Sequence, residues 1–156
     1  NEKFSMQTSE NKVKFNLGSI KLISKVIDGK FPDYKKVVPN DNKKFLVVPS
    51  KDFINSIERV ASVSLDRKEG VKLSINKENI QLSVNSVSSG EGNEIIKADF
   101  NSDNFNISFN SKYLIDIISE VEDRNLKMNL KDSVSPVLIE DASDKNSYYV
   151  IMPMKI

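Results

Sequence analysis

The stretch NSKYLIDIISEVED at residues 110–123, followed at 126–140 by LKMNLKDSVSPVLIE, decides the fold, because PSKDFINSIERVASVS at 49–64 followed by VKLSINKENIQLSVN at 71–85 repeats its pattern. In each copy a helix-like segment comes first. Leu114, Ile117, Ile118 and Val121 recur along one face of the later segment, as Phe53, Ile54, Ile57, Val60 and Ala61 do in the earlier one. Ser50 in one copy, and Asn110 or Ser111 in the other, is placed to cap the free N–H groups of the first turn. In the segments that follow, apolar and polar residues alternate around a short polar turn, the mark of an antiparallel hairpin with one buried and one wet face. Further strand is expected after each hairpin, in NEIIKADF (93–100) and NFNISFN (104–110), and in YYVIMPMKI (148–156).

A third alternating segment, SMQTSENKVKFNLGSIKLIS at 5–24, reads as another hairpin but has no helix before it. That orphan, with no methionine at position 1, suggests that the sequence starts partway through a larger protein. The whole is an α+β chain: a duplicated unit of helix plus antiparallel strands, with both helices on one side of the sheets. Between the orphan hairpin and the first complete copy, KVIDGKFPDYKKVVPNDNKKF (25–45) carries six lysines, and Pro32 and Pro39 interrupt any helix. This segment reads as a domain junction.

With 156 residues, 38% of them hydrophobic and 29% charged, the chain is long enough for one core or slightly more. Its 23 basic and 22 acidic side chains nearly cancel, so attraction to nucleic acid must come from local arrangement. Histidine and cysteine are absent, which removes the commonest general base, thiolate chemistry and nearly every structural zinc site. The acids are scattered, and no phosphate-binding or nucleophile motif is present. No enzyme active site, metal site or cofactor is expected. Nor is there an apolar run of the roughly 20 residues that cross a bilayer, or a signal-like N-terminus, and a cytoplasmic location follows as an expectation.

LISKVIDGKFPDYKKVVP (22–39), NSKYLIDII (110–118), DSVSPVLIED (132–141) and YVIMPMKI (149–156) together resemble the bacterial DNA sliding clamp family, the β subunit of DNA polymerase III. The likeness runs from about residue 5 to the end. It implies a DNA-clamp fold in which residues 1–35 are the end of a middle domain and the junction, and 36–156 a complete third domain. The implied function is that of a non-catalytic processivity factor of DNA replication. Two chains of three similar domains each form a homodimeric ring that encircles duplex DNA regardless of sequence. The ring tethers polymerase, clamp loader and repair proteins through peptides of the Gln-Leu-x-Leu-Phe kind. A β-rich peptide-binding adaptor that never encircles DNA is the alternative.

Transferred onto this sequence, the family's peptide cleft is lined by Pro32, Val37, Asn110, Tyr113, Val134, Pro136, Val150, Met152, Pro153, Met154 and Lys155. Methionines suit such a wall because they adapt to different ligands. Pro136 stands where the family often has serine, removing a hydroxyl. The DNA-facing cations implied are Lys36 first, then Lys30, Lys51, Arg59 and Lys112. The implied dimer interface holds Ser62, Val63, Glu91, Glu94, Ile95 and Ile96. There the segment NSVSSGEGNE (85–94), read as a loop, keeps only two acids of an edge that is often strongly acidic, so attraction between protomers should depend less on salt. The isolated chain is expected to be monomeric. If the C-terminal segment is a strand, Tyr149, Ile151 and Pro153 face one side while Val150, Met152 and Met154 face the other, and Pro153 marks where pairing stops.

Overall fold

The computed structural model describes residues 4–31, 33–64, 70–144 and 146–155. They form two compact units, Asn1–Asp33 and Tyr34–Ile156. Pro32 lies outside the described residues.

The first unit is a meander of three antiparallel strands, β1 (Phe4–Thr8), β2 (Lys12–Leu17) and β3 (Ile20–Lys25). The single hairpin expected over 5–24 is thus two, and Gly18, at φ 55°, makes the second tight turn possible. The register aligns Met6, Phe15 and Leu22 in one row, and Phe4, Leu17 and Ile20 in the next. Side chains two apart share a face, so one face of this small sheet is continuously apolar. Most of it is exposed.

The second unit begins with a single 3-10 turn, Tyr34–Lys36, and continues through β4 (Lys44–Pro49), α1 (Ser50–Ala61), β5 (Gly70–Ile75), β6 (Asn79–Ser86), β7 (Gly90–Lys97) and β8 (Asp99–Phe100). Then follow β9 (Phe105–Asn110), α2 (Ser111–Ile118), β10 (Asn125–Leu130), β11 (Val137–Asp141) and β12 (Tyr148–Ile151). Each copy of the repeat therefore opens with a strand that runs straight into its helix, and β4 was not foreseen. Two sheets result, ordered β12-β11-β10-β4-β8 and β7-β6-β5-β9. The opening strands are exchanged: β4 leads into α1 but pairs with β10 of the second copy, and β9 leads into α2 but pairs with β5 of the first.

The helices pack on each other and on the sheets. Phe53, Ile57 and Leu114 are fully buried in one core with Leu46, Leu73, Leu82 and Met128, and each such side chain contributes about 1.5–3 kcal/mol by leaving water. The caps differ from expectation in one case. Asn110 accepts a bond from the Tyr113 N–H at 3.2 Å, as a cap should. Ser50 does not cap α1: it is the first helical residue, its N–H donates to the Arg124 carbonyl at 2.9 Å, and its side chain is buried.

Two more segments depart from the sequence reading. Residues 85–94 are not a loop, since β6 runs to Ser86 and β7 starts at Gly90, whose φ of 110° closes the hairpin. The C-terminal strand stops at Ile151. Past it, the Met154 N–H donates to the Ser108 carbonyl of β9 at 2.7 Å, so the tail is pinned to the neighbouring sheet across a proline that cannot donate. The first copy has its counterpart in β8, which follows β7 and pairs with β4 through Asp99 and Phe100.

Candidate functional site

The tail segment makes one wall of a groove. Tyr149 and Ile151 turn into the core, while Val150, Met152 and Met154 face outward, as the alternation of the sequence requires. Pro153 joins the outward set rather than the core, because the strand has ended before it. The opposite wall is the start of α2, where Asn110, Tyr113, Asp116 and Ile117 recur at helical spacing. Together they enclose about 650 Å³. The cap bond from Asn110 fixes the first turn of α2, and the tail's bond to Ser108 fixes the other wall, so both sides are anchored to β9.

A second hollow of about 550 Å³ lies on the other side of Val150 and Met152, which line both. Its far wall comes from residues 36–42 and from the turn between β10 and β11. Asn42 ties these together, its amide donating to the carbonyls of Asn129 at 2.8 Å and Pro136 at 3.0 Å. Lys131 and Asp41 form an ion pair at 2.7 Å on the rim. Asp132 accepts from the Val134 and Ser135 N–H groups and from the Ser135 hydroxyl, at 3.0, 2.7 and 2.8 Å. These bonds hold its carboxyl below the usual range. The Ser135 proton is committed to Asp132, so it does not replace the hydroxyl absent at Pro136.

Of the expected cleft residues, Asn110, Tyr113, Val150, Met152, Pro153 and Met154 meet in the first hollow, and Val37 and Pro136 line the second. Val134, 56% exposed, and the exposed Lys155 line neither. Several lining residues were not anticipated. Ile117 was visible only as part of the helix's apolar stripe, and it closes the groove as well as the core. Asn42 and Lys131 carried no sequence signal, since their role needs segments far apart in the chain. Lys36, expected to face DNA, lines the second hollow.

The residues expected at a dimer interface share one edge. Ser62 and Val63 follow α1; Glu91, Glu94, Ile95 and Ile96 lie on β7, the outermost strand of its sheet. Helix and strand touch at Gly92, where a Cβ would stand 2.8 Å from the Val60 carbonyl oxygen. Of the expected DNA-facing cations, Lys51 and Lys112 are exposed at equivalent positions in the first turns of α1 and α2. Arg59 is ion-paired with Glu94, and Lys30 belongs to the first unit. Among the described residues, no group of three or more acidic, histidine or cysteine side chains could hold a metal ion. No helix among them is long and apolar enough to cross a membrane.

A family model for the C-terminal domain of the beta subunit of DNA polymerase III matches residues 35–155. The chain belongs to the bacterial sliding clamp family. The beta sliding clamp of Caulobacter vibrioides is 36% identical over 155 residues, and that of Escherichia coli K12 is 31% identical over 151. The chain spans only 42% and 41% of the length of these two clamps, while 99% and 97% of its own length is covered. Among solved structures, the Caulobacter crescentus clamp superposes with a TM-score of 0.85 at 35% identity. The Bartonella birtlesii clamp bound to griselimycin does so with 0.84 at 37%; each covers 98% of this chain and 41% of the other. The exchanged-strand architecture described above is therefore the α+β clamp fold, built from two copies of one helix-and-strands unit.

Proposed function

We propose that this chain is part of a non-catalytic, ring-shaped processivity factor that encircles duplex DNA and tethers replication and repair proteins to it. In this reading residues 1–35 end a middle domain and residues 36–156 form the third domain of a cytoplasmic clamp, two copies of which close the ring. The observation that carries it is the two-part apolar groove around Val150 and Met152, in a chain of the clamp family. An extended peptide of the Gln-Leu-x-Leu-Phe kind could seat its leucine and phenylalanine anchors on the two sides of that shared wall.

Three further features support the reading. The apolar face of β1–β3 suits a strand layer that continues into a larger domain. The unpaired edge of β7 suits pairing with a strand of a second copy. Exposed Lys51 and Lys112 suit loose contact with phosphates, with Lys30 and Lys36 as additional cations, since base-specific contacts would stop sliding. The test is retention on DNA by the full-length protein. Loaded rings should stay on closed circles and run off linear DNA of the same sequence, and equal retention on both would reject encirclement.

A further inference from the structure

Arg59 and Glu94, which the family resemblance implies as a DNA-facing cation and an interface acid, are bonded to each other. The Arg59 Nε donates to Oε2 of Glu94 at 3.0 Å, and its Nη2 donates to Oε1 of the same carboxylate. The same Nη2 donates to the Ser56 hydroxyl at 3.1 Å, and that hydroxyl donates to Oε1 of Glu94 at 2.9 Å. Ser56 is fully buried, so the fork stands on a fixed base. A guanidinium engaged at two nitrogens by one carboxylate is held in orientation as well as position. The Arg59 bond also keeps the Glu94 carboxyl below its usual range.

The pair joins two elements. Arg59 lies on the last turn of α1 and Glu94 in the middle of β7, two residues from Gly92, where the strand already presses on the Val60 carbonyl. The last turn of the helix is thus fastened to the edge strand at two points. Beyond them, Ile95 is 65% exposed and Val87 at the hairpin tip fully so. Among the described residues, the outer edge of β7 has no partner strand in its sheet. With Glu94 paired from within, Glu91 is the acid that this strand keeps exposed, beside the apolar Ile95 and the cationic Lys97.

We propose that Arg59 is a positioning residue, holding β7 against α1 so that the strand edge meets a strand of a second copy in one geometry, and that it does not contact DNA phosphate. The identity of the partner strand rests on the ring reading; the brace rests on this chain's own geometry. Because Glu94 is engaged within its own chain, and the exposed Glu91 and Lys97 of the same strand carry opposite charges, pairing between copies should vary little with salt.

The test uses the full-length protein with Arg59→Ala, Glu94→Ala, Arg59→Lys, and the reversed pair Arg59→Glu with Glu94→Arg. Each alanine variant is expected to weaken pairing between copies about fivefold and to speed amide exchange across Gly90–Lys97. Lysine, which keeps the charge but not the fork, should restore only part of the loss, and the reversed pair more of it. In covalently closed rings, Arg59→Ala should leave the salt dependence of DNA retention unchanged. Unaltered exchange over β7 in Arg59→Ala would overturn the brace, and so would a salt slope reduced by about one, the mark of a lost phosphate contact. If the unmodified protein fails to pair, the ring reading falls, while the exchange measurement still decides whether Arg59 braces β7.

Discussion

Replacing Met152 with alanine isolates the groove from the fold. The side chain is 59% exposed and lies on the wall between the two hollows, so a bound peptide would cover it from both sides. Full burial of a methionine is worth about 1.5–3 kcal/mol, and a ligand can supply only the exposed six-tenths, which leaves about 1–2 kcal/mol for binding. Truncation to alanine should therefore raise Kd for a Gln-Leu-x-Leu-Phe peptide by about five- to thirtyfold, at 1.4 kcal/mol per factor of ten. Stability should change by no more than about 0.5 kcal/mol, because the residue contributes little to the core. Fluorescence anisotropy with a labelled peptide gives the first quantity and thermal unfolding the second. Val134→Ala and Lys155→Ala, which alter neither lining, serve as controls and should bind within about twofold of the parent chain. A Met152→Ala protein that binds within twofold as well would refute the groove as the docking surface.

Other expectations follow from the same contacts. Gly92→Ala forces a Cβ against the Val60 carbonyl oxygen, where backbone must move, and should cost about 1–3 kcal/mol in urea unfolding. Asn42→Ala removes its bonds to the Asn129 carbonyl of β10 and to the Pro136 carbonyl, leaving the Asp41–Lys131 ion pair on the rim. It should cost about 1–3 kcal/mol and weaken peptide binding while leaving the first hollow intact, a combination visible in peptides truncated from either end. The carboxyls of Asp132 and Asp141 are held below their usual range. Bonds from Val134 and Ser135 lower the first, and those from Ser143 and Glu122 lower the second. Their stabilisation is therefore present above the ordinary carboxylate range and is lost as pH falls through the lowered values. Tm should decline below about pH 4, and Asp132→Asn should flatten that decline; a Tm independent of pH down to about pH 3 would contradict it.

Elements whose faces differ in polarity were legible in the sequence. The helices and the β5–β6 and β10–β11 hairpins follow from their periodicity, and the groove's wall follows from the alternation of Val150 and Met152 with Tyr149 and Ile151. β4 was hidden because both its faces are apolar: Leu46 and Val48 are buried, while Phe45 and Val47 look outward. The ammonium of Lys127 lies 5.2 Å from the ring of Phe45, an arrangement that makes an outward aromatic tolerable in water. Without a wet face there is no alternation, and the lysines and prolines around KFLVVP suggest a linker. The second hollow was illegible for another reason, since it depends on Asn42 bridging to Asn129 and Pro136. No local pattern encodes a bond across that distance.

The exchange of opening strands has a consequence for how the second unit reaches its native state. Lys44 must find Leu130, and Gly70 must find Asn110, before either sheet is complete. Neither half of the duplication can finish folding alone, and a chain nicked between Phe100 and Phe105 would leave one fragment without β9 and the other without β4 and β8. Closing such long loops early is entropically costly and slows the search. The same interlocking makes unfolding a concerted event, so that this unit should stay intact or be lost as a whole.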